Sequence, residues 1–469
     1  MPAAPRLAGV RLAGVVVGLS ACVLLWFGPF GFPPALQRSL AISALMIVFW
    51  ITGPIELYLT GLIGCYLFWA LRVTDFPTAF AGFARETPWF LLGAFLLGMT
   101  ATKTGLALRL GYIILSRVGA SYSRILLGMI LVDFCLTFLV PSGIARIYIL
   151  ASIATGLMHA FEAERKSNIG RGMFLILTYS ATVFDKMIIA GAVSILARGI
   201  IVDVGRVPVY WSQWAIACLP GDLVTIVTCW GLTLWLFPPE KRSLPGDVDY
   251  LRSELRRMGP LSADERRNAM LMAGAVLLWS TDFLHHLSPP VVGIGAGLAA
   301  CLPAIGVLNR DDFRKVNFPI LIFMGTVLSM GAVLTKTGAL ARLSETLFAG
   351  MAPYLQDTVP ATAALYAGTF IYHLFVGEDT VVVGTLMPMV LDFARAHGMN
   401  PLPVGIIATI ASSGKLFVYQ SGVLVAGYAF GYFEAKDLVK VGVVMTIVEA
   451  LVLLALVPWY WPLVGLRLR

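Results

Sequence analysis

Apolar runs long enough to cross a bilayer recur from one end of this chain to the other, and nothing else constrains its fold as much. Lipid offers no water to unpaired backbone groups, so each run must satisfy its own hydrogen bonds as a helix. Hydrophobic residues make up 58% of the chain and charged residues 13%, where soluble domains carry roughly 25% charge. The expectation is an all-α polytopic membrane protein without a separate soluble domain. The six cysteines lie scattered in apolar runs with no CxxC or metal spacing, and the five histidines are equally dispersed. Neither disulfides nor a metal site are therefore expected. The net charge of +8 fits loops facing the cytoplasm or anionic lipid. It does not suggest nucleic-acid binding, because no basic and aromatic platform accompanies it. No nucleophile–base pair appears, so an enzyme is not expected and no catalytic residue is assigned.

Taken in order, Leu12–Phe30 follows Arg6 and Arg11 without a convincing cleavage site, and reads as a retained first span with a cytoplasmic N-terminus. Leu40–Leu71 holds two short spans bent at Gly53-Pro54, beside Glu56. Thr87–Leu115 reads as one span. Ser121–Ala160 reads as two arms around Pro141-Ser142-Gly143, and Phe161–Arg171 as an interfacial connector. Gly172–Ile201 and Trp211–Leu236 complete a first half, 1–236, with its hairpin (121–160) on the cytoplasmic side. The hydrophilic linker 237–267 carries Lys241, Arg242, Arg252, Arg256, Arg257, Arg266 and Arg267, and is expected to be cytoplasmic. The second half, 268–469, contains Met270–His286, Val291–Val307, Phe318–Phe348, paired arms at 361–396 on the opposite side, a broken span at Pro401–Tyr432, and Val439–Leu466. The count is about eleven spans plus two re-entrant hairpins, which places the C-terminus outside.

The halves repeat one another. FLLGAFLLGMTATKTGLALRL (Phe90–Leu110) parallels IFMGTVLSMGAVLTKTGALARL (Ile322–Leu343), and both contain TKTG, at Thr102–Gly105 and Thr335–Gly338. The span count sets the two copies in opposite orientation. Inverted repeats that meet at a midplane site built from broken helices are a mark of secondary transporters. Lys103 and Lys336, inside the repeated tetrapeptide, are expected to be helix-end features.

The polar interruptions mark the candidate site. In YHLFVGEDTVVVGTLMPM (Tyr372–Met389), Glu378 and Asp379 stand between apolar runs. A charge at membrane depth must line a protein cavity, so this is read as the tip of the second hairpin. The first tip offers Ser142, Gly143 and Ile144. Arg146, one turn beyond Ser142, could grip a substrate carboxylate or pair with Asp133 or Asp185. Thr182, Ser194, Ser412, Ser413, Gln420 and Ser421 add hydroxyl and amide groups near the breaks, His373 precedes the second tip, and His285-His286 reads as a span terminus.

These residues resemble the divalent-anion:sodium symporter family of the ion-transporter superfamily. The parallels cover most of the chain, through WITGPIELYLTGLIG (Trp50–Gly64), WFLLGAFLLGMTATKTGL (Trp89–Leu106), DDFRKVNFPILIFMG (Asp311–Gly325) and GYFEAKDLVKVG (Gly431–Gly442). PSGIAR (Pro141–Arg146) is similar to the PSNTAR tip of the citrate and oxoglutarate–malate exchanger branch. The resemblance implies a scaffold and a two-hairpin transport subdomain in elevator motion, a homodimer in a bacterial-type inner membrane, and a di- or tricarboxylate or sulfate-like substrate. It also implies Na⁺ as coupling ion; the crowded carboxylates of this chain leave H⁺ open as the other coupling ion.

The chain departs from the family at its key positions. The Ser-Asn-Thr tips are replaced by Ser142-Gly143-Ile144 and Glu378-Asp379-Thr380. FDKMIIAG (Phe184–Gly191) and SGKLFVYQS (Ser413–Ser421) place Lys186 and Lys415 where the resemblance implies sodium. An ammonium has the charge of Na⁺ and three donors for the same oxygens. The two lysines are therefore expected to act as tethered cations, with Asp185, Glu378 and Asp379 as counter-charges. The expected substrate ligands are Ser142, Gly143, Ile144, Arg146, Glu378, Asp379, Thr380 and Ser421; the ion-coupling set is Asp185, Lys186, Asp379, Ser413 and Lys415. Two alternatives stay open: a proton- or cation-coupled carrier of the wider superfamily, and a membrane scaffold or sensor that has lost transport.

Overall fold

The computed structural model describes residues 5–140, 142–245 and 248–469; Pro141 and the side chain of Arg6 lie outside the described residues. Its architecture is helical throughout the principal elements. After α1 (Pro5–Phe27), the first repeat runs α2 (Pro34–Thr52), α3 (Leu57–Ala70), α4 (Glu86–Thr104), α5 (Leu106–Val118), α6 (Tyr122–Leu139), α7 (Gly143–Ala160), α8 (Asn168–Met187), α9 (Ala192–Ile200) and α10 (Trp211–Leu236). The second runs α11 (Ala263–Ser280), α12 (Pro289–Ala299), α13 (Phe318–Lys336), α14 (Ala339–Phe348), α15 (Thr358–Phe375), α16 (Asp379–Ala396), α17 (Pro401–Ala411), α18 (Gly422–Ala429) and α19 (Ala435–Ala455). Each helix of the first repeat has a counterpart nine labels later. By length and hydropathy, 7 helices of the described residues can cross a membrane, or 8 if the bent pair α4–α5 is one span. Four shorter apolar helices, 11–27, α3, α12 and α17, stand beside them.

The repeats interlock. α3 packs on α13 and its counterpart α12 packs on α4, so each repeat supplies one partner to each crossing. Apolar attraction between helices is weak in lipid, and close crossings depend on small residues. A Cβ on Gly93 would lie 2.3 Å from the carbonyl oxygen of Gly293, and one on Gly61 only 2.0 Å from Thr326 Oγ1. Around the site the exchange recurs: α9 packs on hairpin arm α16, and α18 packs on α7. Leu12, Val16, Val23, Leu24 and Phe27 of α1 face outward, as a lipid-exposed helix requires.

Several expected boundaries are corrected. Thr87–Leu115 is not one span: α4 and α5 meet at 66°. Gly105 (φ 79°) sits in the left-handed region at that joint, and Gly338 (φ 75°) does the same between α13 and α14, dividing Phe318–Phe348. The linker is shorter than 237–267, because a capping box between Ser262 and Glu265 starts α11 at Ala263. The connector Phe161–Arg171 is likewise shortened, since Ser167 caps α8. Val291–Val307 is helical only to Ala299.

Lys103 and Lys336 do end their helices, each tied to an aspartate. Lys103 Nζ donates to Asp312 Oδ2 at 2.5 Å and to the Val307 carbonyl at 2.7 Å. Lys336 pairs with Asp75 and donates to Thr78 Oγ1 at 2.9 Å. The hydrogen bond from Lys103 holds the Asp312 carboxyl below its ordinary range. A folded-state value below the unfolded one gives stability that is full above the unfolded value and lost as pH falls through the folded value. The thermal midpoint in detergent should therefore drop as pH falls below about 4, the unfolded aspartate value, and Asp312→Asn should flatten part of that slope. An unaltered slope in the variant would remove this ion pair from the account.

Candidate functional site

Both hairpin tips and both helix breaks converge on one place. A cavity of about 270 Å³ is lined by Ser142, Gly143, Ile144 and Ala145 from the first tip, and by Glu378, Asp379 and Thr380 from the second. Ser421, Gly422 and Val423 at the start of α18 close one wall, with Asp185 and Val193 from the first break. The opposite wall is scaffold: Phe95 and Met99 of α4, with Lys315, Asn317 and Ile320 before and within α13. Ser142 Oγ accepts from Ala145 N–H at 3.3 Å, and Ser421 Oγ from Val423 N–H at 3.3 Å, so each hydroxyl caps its helix rather than standing free.

Behind this cavity lies a buried ion cluster centred on Asp379. Lys415 Nζ donates to Asp379 Oδ1, to the Ser412 carbonyl at 2.8 Å, and more weakly to the Gln420 carbonyl at 3.5 Å. His373 Nε2 stands 3.1 Å from the same ammonium and 3.3 Å from Asp379 Oδ1. Lys186 Nζ approaches the other oxygen, Asp379 Oδ2, at 3.4 Å. The break that exposes the carbonyls is itself braced. Gln420 Oε1 accepts from Leu416 and Phe417 N–H at 2.7 and 2.8 Å, while Tyr179 donates to the Lys415 carbonyl at 3.0 Å. A cluster so built balances buried charge with charge, as membrane depth demands.

The expected site residues thus divide. Ser142, Gly143, Ile144, Glu378, Asp379, Thr380, Ser421 and Asp185 line the cavity. Lys186 and Lys415 lie behind it, both on Asp379. Asp185 is not the counter-ion expected for Lys186: its nearest cation is Arg146, at 3.6 Å. Glu378 pairs with neither lysine and accepts from Gly422 N–H at 3.1 Å. Arg146 is corrected as a substrate ligand. It is fully buried, with Nε on Asp133 Oδ1 at 2.9 Å and Nη1 and Nη2 on the Val140 and Ala181 carbonyls at 3.2 and 2.8 Å. Ser413 does not reach the cavity; its N–H closes a turn onto the Ile410 carbonyl. Thr182 and Ser194 bond main-chain carbonyls of the first break, Thr182 to Tyr179 and Ser194 to Asp185, Ile188 and Gly191.

Sequence reading passed over the scaffold wall and two buried carboxylates, Asp222 of α10 and Glu449 of α19, both within electrostatic reach of Lys186. Glu449 accepts from Tyr366 at 3.2 Å. A lone acidic residue inside an apolar run was the available signal for each.

The cavity opens toward one end of α4. A second cavity of about 420 Å³ shares Phe95, Met99, Ser142, Ala145 and Lys315 with it and runs to Lys103 and Asp312. A third, of about 180 Å³, lies at the other end, between Arg85, Asp203, Leu328, Gly331, Thr335, Lys336 and Pro388, and shares no lining residue with the site.

Known proteins are similar to this chain along most of its length. A membrane protein of Cupriavidus necator is 26% identical over 458 residues, covering 93% of this chain and 89% of its own length. The L-tartrate/succinate antiporter of Escherichia coli is 23% identical over 396 residues, 82% of this chain and 80% of that one. The chloroplastic dicarboxylate transporter 2 of Spinacia oleracea is 24% identical over 486 residues, 98% and 84% of the two chains. In fold, the chain is similar to Neisseria gonorrhoeae MtrF, described as one of a class of antimetabolite efflux pumps: TM-score 0.52 at 11% identity, over 97% of this chain and 95% of that one. The profile of the sodium:sulfate symporter transmembrane region matches residues 10–467. The chain therefore belongs to the sodium:sulfate symporter family, the divalent-anion:sodium symporters that its motifs resemble.

Proposed function

We propose that this protein carries a small anion of the di- or tricarboxylate or sulfate-like class across a bacterial-type inner membrane. The hairpin body, α6–α10 with α15–α19, would move as an elevator against the scaffold of α1–α4 and α11–α13. The linker and the first hairpin would be cytoplasmic and two copies would form a dimer. The lengthwise relation to a tartrate/succinate antiporter and a dicarboxylate transporter supports the substrate class.

One observation carries the coupling mode: the Lys415 ammonium occupies a cage of Asp379, Ser412 and Gln420 oxygens in the second helix break. Those oxygens are what a sodium ion would take, and an ammonium already satisfies them. The residues present do not fit a resident sodium there, so transport is proposed to run without it. Lys186, on the other oxygen of Asp379, plays the same part more loosely.

The test is uptake of labelled succinate, citrate and sulfate into proteoliposomes, with and without a sodium gradient, a proton gradient and internal counter-substrate. Wild type should take up anion without sodium, and Lys186→Ala and Lys415→Ala should each lose that uptake. Sodium-driven uptake surviving both substitutions would overturn the tethered-cation reading. Silence with every anion would favour a scaffold or sensor instead.

A further inference from the structure

Two helices begin at the cavity, α7 at Gly143 and α18 at Gly422, and helix N-termini attract anions. Each already faces a carboxylate of this same chain. Glu378 Oε2 accepts the Gly422 N–H at 3.1 Å. Asp185 Oδ1 lies 3.5 Å from where a Cβ on Gly143 would stand. Asp185 is 9% exposed, and this oxygen has no hydrogen-bond donor among the described residues. The chain thus fills with its own side chains the places where a bound dianion would rest.

Charge separates the two carboxylates. Asp133, Asp185 and Asp379 are matched by Arg146, Lys186 and Lys415. Of the three carboxylates that line the cavity, Asp185, Glu378 and Asp379, only Glu378 forms no ion pair among the described residues; Asp222 and Glu449, which also lack one, do not line it. The groups facing it are Asp379 on its own hairpin, Lys415 in the second break and Asp185 in the first. His373 and Lys186 stand behind Asp379, and Lys315 is at the cavity mouth on Asp312. Each of these cations is already placed on another carboxylate, Arg146 on Asp133 and Asp185, Lys186 and Lys415 on Asp379, and Lys315 on Asp312.

We propose that Glu378 is a proton-binding site linked to the anion seat at the start of α18. This rests on the anion-carrier reading above. A bound dianion takes the Gly422 N–H, and Glu378 loses the donor that holds its charge. Glu378 then accepts a proton from hydronium in the cavity: an O–H bond forms on the carboxylate as one breaks in hydronium, leaving water. Anion and proton are carried together, and release of the anion returns Glu378 to Gly422 with loss of the proton.

The experiment is calorimetric binding of sulfate and of succinate to purified protein, in two buffers of different ionisation enthalpy at one pH. Sulfate remains a dianion near neutral pH, so any proton taken up belongs to the protein. Wild type should take up about one proton per sulfate bound, by linkage, and Glu378→Gln none. Asp185→Asn should keep the uptake. Binding without proton uptake in wild type overturns the proposal and leaves the anion reading standing. Uptake that persists in Glu378→Gln, or disappears only in Asp185→Asn, overturns it as well. Binding of neither anion by wild type overturns both readings. Should Glu378→Gln fail to fold, absence of the uptake in wild type or in Asp185→Asn still overturns the proposal.

Discussion

Lys415→Ala should lose sodium-free transport and become a protein that sodium stabilises. The lysine is wholly buried, and its removal leaves the Asp379 carboxylate facing the Ser412 and Gln420 carbonyls with only Lys186, at 3.4 Å, to neutralise it. Breaking one side of a buried ion pair costs about 3–5 kcal/mol, a large share of a typical stability of about 5–15 kcal/mol. The vacated oxygens then form a cation site. A ligand present at a hundred times its dissociation constant restores about 2.7 kcal/mol. The thermal midpoint of Lys415→Ala should therefore rise with NaCl and not with KCl of equal ionic strength, while wild type responds to neither. An identical response in both proteins would show that the ammonium does not stand in a cation's place. Lys186→Ala should show a weaker version, since the Lys186 ammonium has no hydrogen bond among the described residues beyond its ion pair.

Arg146→Ala should be the most damaging substitution to folding in the first hairpin, for structural reasons. Asp133 and Arg146 have no solvent exposure, and the guanidinium also ties the Val140 and Ala181 carbonyls across the hairpin to α8. The same loss of about 3–5 kcal/mol applies, so monodisperse protein recovered by size exclusion should fall sharply. Replacing both partners with apolar residues, Arg146→Met with Asp133→Leu, should recover part of it, because it leaves no bare Asp133 charge. A folded single variant that merely binds anion more weakly would return Arg146 to the substrate.

The bundle was legible because hydrophobic runs and the duplicated TKTG are local signals. The bends were not, because Thr337-Gly338 is too short a break to divide Phe318–Phe348 on its own, and only the left-handed glycine betrays the corner. Spacing placed Arg146 one turn from Ser142, yet its partner Asp133 is on the other arm of the hairpin, which spacing along one helix does not reveal. Adjacency misled for Lys186. Neighbours on a helix do not face each other, so Asp185 turns to the cavity while Lys186 reaches the opposite hairpin at Asp379. Lys415 was more legible: a charge in a glycine-flanked break has few places to go but the tip that faces it.

The two outer cavities carry a thermodynamic consequence. Phe95, Gly98, Met99, Thr102 and Lys103 line one, and the matching positions of the second repeat, Leu328, Gly331, Ala332, Thr335 and Lys336, line the other. Under the proposed alternating access, opening one end while closing the other would exchange a set of contacts for its near-copy. The two end states would then be close to degenerate, and a bias far smaller than the stability of the fold would be enough to set which one dominates. A substitution at one of these lining positions and not at its match should change that bias, even where it touches neither substrate nor lysine.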